Sequence, residues 1–153
     1  MIQERHKGAS LTIVGSPSNL EHDQYFFKIK EMVQSNKQIE LVQKLPRKLL
    51  PDYLLNYDVF LHNFQGSLDK SIVEATMVGL PVITVNREYL SDFGSWGEDN
   101  SNVSMSSEFE GMLRKSKEEL FKECVRRQTI AVQKHSLNHW INEFLSNLGE
   151  LHS

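Results

Sequence analysis

With 153 residues and a formal net charge of −3, the chain is long enough for one domain with a real core and has no charge excess that would draw it to nucleic acid. A single cysteine, Cys124, excludes an internal disulfide framework and suits a reducing, cytoplasmic setting. No apolar run approaches the ~20 residues that span a bilayer, and the polar start MIQERHKGAS is not a signal peptide. Leu11 to Val14 is a short apolar run stopped by Gly15-Ser16-Pro17, which reads as a buried strand and turn. A helix is expected from about Glu21 to Gln34, with Phe26, Ile29 and Val33 on one face. Ile39 to Val42 reads as a second strand. Pro46 and Pro51 bracket a loop and a short helix that reaches Asn56.

The most informative stretch is DVFLHNFQGSLDKSIVEATMVGLPVITVN, Asp58 to Asn86. It reads as a buried strand (Val59 to Leu61), a glycine turn, a helix (Ser71 to Val78) and a fourth strand (Val82 to Val85). Gly79 suits the position just past the helix, and Pro81 prevents its continuation. A parallel strand that enters a helix through a tight polar turn makes an anion site. The first N–H groups of the helix have no intrahelical partner, and the helix dipole favours negative charge there. Arg87 to Ser107 is rich in Ser, Asn, Asp and Gly and is expected to be an irregular loop with a short strand near Val103. Helices follow from about residue 107 to 150. In the last of them Leu137, Ile141, Phe144 and Leu148 form an apolar stripe, with Ser136 as its N-cap. Strands alternating with helices predict an α/β fold: a Rossmann-like parallel sheet with helices on both faces, as a single domain over 1–153.

These residues resemble the donor-binding, C-terminal domain of the group 1 retaining glycosyltransferases, which have the GT-B architecture. The matching features are Ile13-Val14-Gly15, the strand Asp58-Val59-Phe60-Leu61, the loop Gly66-Ser67-Leu68-Asp69-Lys70, Glu74-Ala75, the stop and strand Gly79 to Ile83, and His135-Ser136-Leu137-Asn138-His139-Trp140 at the start of the last helix. The similarity runs from about Leu11 to Leu148, and its most specific part is Gly66–Ile83. The resemblance implies transfer of a sugar, with retention, from a nucleoside diphosphate sugar to a hydroxyl acceptor. It implies no cofactor, a mild preference for UDP-sugars, and an acceptor-binding N-terminal domain that the chain does not contain. Glu74 matches the second glutamate of the family's Glu-x7-Glu signature, which binds the ribose hydroxyls; a carboxylate accepts from two such donors at once. The first glutamate, which contacts the donor sugar, is replaced by Gly66. Ser67-Leu68-Asp69-Lys70 resembles a variant of the motif found in a subset of the family, which implies Asp69 or Lys70 in donor contacts as the catalytic candidates, with Lys70 as the countercharge to the diphosphate. Gly15, Ser16, Gly66, Ser67 and Leu68 are implied around the diphosphate and sugar, and Lys44 and Leu45 around the nucleobase.

Each feature also has a plainer reading. Gly66–Lys70 can be an ordinary strand-to-helix loop with an Asp or Ser cap, and Glu74 a solvent-facing residue. However, Ile72, Val73, Ala75 and Met77 leave that helix little polar surface. His62 is expected to be packed or hydrogen-bonded, and Cys124 to be core. Phe93-Gly94-Ser95-Trp96 reads equally as a cleft lining or a hydrophobic plug, and the last helical stripe reads as core. The histidines at 135, 139 and 152 are too scattered for a metal site. Lys44, Arg47 and Lys48 offer a weak contact to anionic lipid at the inner face of a membrane. The missing first glutamate supports an alternative, a non-catalytic binding module on a degenerate glycosyltransferase fold. A flavodoxin-like regulator would need an acidic cluster or phosphate loop that Gly15-Ser16-Pro17-Ser18 does not supply.

Overall fold

The computed structural model describes residues 8–16, 23–43, 45–97 and 103–150. The chain divides into two compact units, Met1–Leu50 and Pro51–Ser153. It is an α/β protein, and its strands form two parallel pairs, one in each unit.

In the first unit β1 (Leu11–Val14) pairs in parallel with β2 (Ile39–Val42), with Leu11 opposite Ile39 and Val14 opposite Val42. The Gly15 N–H extends the ladder to the Val42 carbonyl at 3.0 Å. The connection is α1 (Asp23–Gln34), as a parallel pair requires. Phe26, Ile29 and Val33 are its less exposed positions, as the spacing predicts. A 3-10 turn (Arg47–Leu49) ends the unit.

The second unit opens with α2 (Leu50–Leu54). Its centre is β3 (Phe60–His62), α3 (Lys70–Met77) and β4 (Val82–Thr84), one βαβ element in which Phe60 pairs with Val82 and His62 with Thr84. The elements sit within a residue of their predicted bounds. Gly79 has φ +87°, the left-handed conformation expected just past a helix end. All of β4 is buried, as are Ile72, Val73, Ala75 and Thr76 of α3. This explains the continuous apolar reading of both.

The region after β4 departs from the sequence reading. Arg87–Phe93 is a helix, α4, and α5 (Met105–Leu113) begins two residues after Val103, which is not in a strand. Polar residues in and next to this stretch are helix caps. The Asn86 side chain accepts the Tyr89 N–H at 2.9 Å, and Ser104 with Ser107 forms a capping box. Tyr89 and Phe93, one turn apart, are fully buried and stacked with ring centroids 4.3 Å apart. Trp96 is buried as well, so the Phe93–Trp96 segment is the hydrophobic plug and not a cleft lining.

The long helix α6 (Lys117–His135) closes the core. Ile83, Trp96 and Met112 form its centre, with Val59, Met105, Phe109, Leu120 and Cys124 packed around them. Burial pushes the Cys124 thiol pKa up, in keeping with a core role. Two charged residues share this interior. Glu108 accepts the Trp96 N–H at 2.9 Å and the Ser95 hydroxyl. The Arg127 guanidinium lies 3.9 Å from the centre of the Trp96 ring, and its Nε donates to Glu123 at 2.8 Å. Its two terminal nitrogens find no acceptor among the described residues.

Glu123 also accepts from Arg126. Burial by itself would raise its pKa, but the hydrogen bonds and charges of Arg126 and Arg127 outweigh this and bring it down to about 2. A carboxylate depressed in the folded state stabilises the fold above its unfolded value and loses that contribution as pH falls. Wild-type stability should therefore drop between pH 4.5 and about 2. In Glu123→Gln this part of the drop should vanish in urea melts run across that range; parallel acid curves for the two proteins would refute the assignment.

The last helix, α7 (Leu137–Glu150), follows a one-residue break at Ser136, whose hydroxyl accepts the His139 N–H at 3.2 Å. Its apolar stripe is not core as expected: Leu137 is 69 % and Ile141 39 % exposed. The Phe144 and Leu148 side chains lie outside the described ones. The helix packs against α6, and Trp140 and Leu145 on it are exposed as well. No helix among these residues is long and apolar enough to cross a membrane.

Candidate functional site

The site residues of the second unit all lie on one loop and the helix that follows it. After β3 the chain runs through exposed Asn63 to Ser67 and half-buried Leu68 into Asp69, the N-cap of α3. The Asp69 carboxylate turns back onto its own helix and accepts the Ser71 N–H at 2.8 Å. That hydrogen bond holds its pKa below the usual carboxylate range, and the nearby His62 adds to the effect. Asp69 is therefore an ionised cap, and it fills the helix-end anion position with a resident charge. Any further anion has to be met by loop N–H groups and by Lys70, not by the Ser71 amide.

Lys70 is exposed at the first helical position. Glu74 is half-buried one turn later, on the same face as Lys70. The buried residues Ile72, Val73, Ala75 and Thr76 take the other faces, so Glu74 falls on the narrow polar side of the helix. A cation at the loop edge and a carboxylate one turn along can meet a phosphate and a diol respectively.

The floor of the loop is a polar network that sequence reasoning only touched. His62 is hydrogen-bonded as expected: its Nδ1 is 3.1 Å from the Thr84 hydroxyl, and its Nε2 is 3.7 Å from Asp69. The Thr84 hydroxyl accepts the Asn86 N–H at 3.0 Å. The Asn86 side chain, fully buried, donates from Nδ2 to the carbonyls of Phe64, Gly66 and Ser67, each at 3.3 Å. Gln65 adds a bond from its own side chain to the Val85 carbonyl at 2.6 Å. The visible hint was an asparagine directly after a buried strand and three residues before an aromatic, the spacing of a helix cap.

The other predicted site residues belong to the Met1–Leu50 unit. Gly15 follows β1, and a side chain there would meet open space. Ser16 is exposed and Leu45 half-buried. Lys44 lies outside the described residues. Arg47 and Lys48 are exposed on the 3-10 turn. His135 pairs with Asp92 at 3.0 Å and His139 with Glu143 at 3.6 Å. No group of three or more metal-ligating side chains occurs among the described residues.

Glu108 and Arg127 went unnoticed in the sequence although a signal was present. Glu108 sits three residues after Met105 and four before Met112; Arg127 sits among Leu120, Cys124 and Ala131. A charge on an apolar helical stripe marks a buried ion. Comparison with protein-family models, with curated proteins and with solved structures found no match.

Proposed function

We propose that this chain is the nucleotide-sugar-binding domain of a retaining glycosyltransferase, the C-terminal half of a GT-B architecture built on a Rossmann-like sheet. The observation that carries the reading is the βαβ element of the second unit. Its loop ends in a capped helix that presents Lys70 and Glu74 on one polar face, at the carboxyl end of a parallel strand, where ligands of α/β sheets bind. In this scheme Glu74 accepts the ribose hydroxyls. Loop N–H groups and Lys70 stabilise the diphosphate as it takes up charge on leaving, which is electrostatic stabilisation of a developing anion. Asp69 acts as the cap that fixes the loop-to-helix turn. Acceptor-side groups would come from an N-terminal domain, so the isolated chain binds donor and turns over little.

A titration followed by amide NMR with UDP, GDP, UDP-N-acetylglucosamine and GDP-mannose tests this. Saturable shifts at Gly66–Glu74 are expected. Glu74→Gln should weaken nucleotide binding about tenfold or more while the spectrum stays folded, since a hydrogen bond to a charged group contributes roughly 1.5–3 kcal/mol. A flat titration of a folded sample would discard the donor site. It would leave the second reading, a non-catalytic module on a degenerate glycosyltransferase fold, which Gly66 in place of the first glutamate favours.

A further inference from the structure

We infer that Asn86, a residue outside the family-like motif, is the positioning residue that turns the loop amides of the donor site toward the ligand; the inference rests on the donor-site reading above. The orientation of its amide is fixed by its neighbours. Oδ1 accepts the Tyr89 N–H at 2.9 Å, so the other end, facing three carbonyls, has to be the NH2 group. Two hydrogens serve the carbonyls of Phe64, Gly66 and Ser67, so at least one is shared.

The consequence follows from peptide geometry. In a planar trans peptide the C=O and N–H point in opposite directions. The Gly66 carbonyl shares its peptide with the Ser67 N–H, and the Ser67 carbonyl shares its peptide with the Leu68 N–H. With both carbonyls drawn onto the buried Asn86, both N–H groups point away from it, on the exposed side of the loop. Neither finds an acceptor among the described residues. Two adjacent outward amides next to Lys70 are suited to the oxygens of a diphosphate. The Asp69 carboxylate has already taken the Ser71 amide, so these loop amides are among the donors left for a ligand. Thr84 holds the Asn86 backbone N–H, which ties the clamp to the end of β4.

The two functions of the Asn86 side chain can be separated by substitution. Serine is a good N-cap and keeps an acceptor for the Tyr89 N–H, but it cannot reach three carbonyls with two donors. Asn86→Thr likewise keeps a neutral cap acceptor and removes the Nδ2 donors. The experiment measures binding of inorganic pyrophosphate and of UDP to the full chain and to both variants. Thermal melts and amide NMR of Ser67, Leu68 and Tyr89 accompany it. In the variants, pyrophosphate and UDP affinity should fall tenfold or more. The Ser67 and Leu68 amide resonances should shift while the Tyr89 resonance stays in place. A lowered melting temperature with unchanged affinity of the folded protein would make Asn86 a purely structural cap and overturn the inference, leaving the donor site standing. A wild-type chain that binds neither probe overturns both. Should Asn86→Ser fail to fold, Asn86→Thr, which is equally neutral, carries the same decision.

Discussion

Gly111→Ala is expected to destabilise the protein by about 2–3 kcal/mol, although the same change in an exposed helix would stabilise it by up to ~1 kcal/mol. Gly111 lies in α5 where the helix backbone passes directly over the Trp96–Gly97 peptide. A Cβ there would stand 2.6 Å from the Trp96 carbonyl carbon and 2.7 Å from the Gly97 nitrogen, with the Trp96 carbonyl oxygen closer still. These are backbone atoms and cannot rotate aside. Nor can the segment retreat. The Trp96 indole N–H donates to the Val82 carbonyl at 2.7 Å, and its backbone N–H donates to Glu108, one turn before Gly111 on the same helix. The helix and the plug are therefore locked together at the point where the methyl has to go, and overpacking of this kind typically costs 1–3 kcal/mol, occasionally more. Urea unfolding of the variant measures it; a change under about 0.5 kcal/mol would mean that α5 can slide. The effect should reach the site, because Val82 begins the strand that ends in Thr84 and leads to Asn86. Loss of the Trp96 anchor should raise hydrogen exchange at Asn86 and Tyr89, whose N–H groups are hydrogen-bonded, as well as in the core.

What was legible in the sequence was the part of the molecule governed by local rules. The strand–turn–helix–strand unit around Gly66 could be placed within a residue because each signal agreed. Val82 to Thr84 is apolar without alternation because every residue of β4 is buried, and Gly79 is needed where φ is +87°. The failures came where polar residues serve the fold instead of leaving it. Ser95 and Ser104 read as loop formers, yet each supplies a side-chain oxygen to a turn or a cap. Asp69 read as a candidate for chemistry and is spent on capping. Glu108 and Arg127 drew no reading from the sequence, although each is a charge on an otherwise apolar helical stripe. The α7 stripe shows the converse limit. Periodicity reveals that a face is apolar but not what covers it, and Leu137 and Ile141 are open among the described residues.

On the donor-site reading, Gly66→Glu is expected to fold and to raise the affinity for a UDP-sugar relative to UDP. Gly66 stands eight positions before Glu74, where the resembled family carries its first glutamate. Its φ is not in the left-handed range; among the described glycines only Gly79 and Gly94 are. A side chain is therefore compatible with the backbone. A Cβ would approach the Phe64 ring at 2.7 Å, but that ring is 57 % exposed and can swing away. The carbonyl of residue 66 keeps its bond from Asn86, so the loop amides stay oriented. The stability change should stay within about 1 kcal/mol, as for other surface positions that need only a side-chain adjustment. The gain should appear in the ratio of UDP-sugar to UDP affinity. A carboxylate that accepts sugar hydroxyls adds roughly 1.5–3 kcal/mol, which is on the order of 10- to 150-fold. UDP alone should bind no better, and at low salt somewhat worse, because the new charge stands beside the diphosphate. Calorimetric titration of both proteins with both ligands reads the ratio directly. A folded variant whose ratio equals that of the wild type would show that Gly66 and Glu74 share only the spacing of the signature and not its geometry, and it would shift the balance to the non-catalytic module.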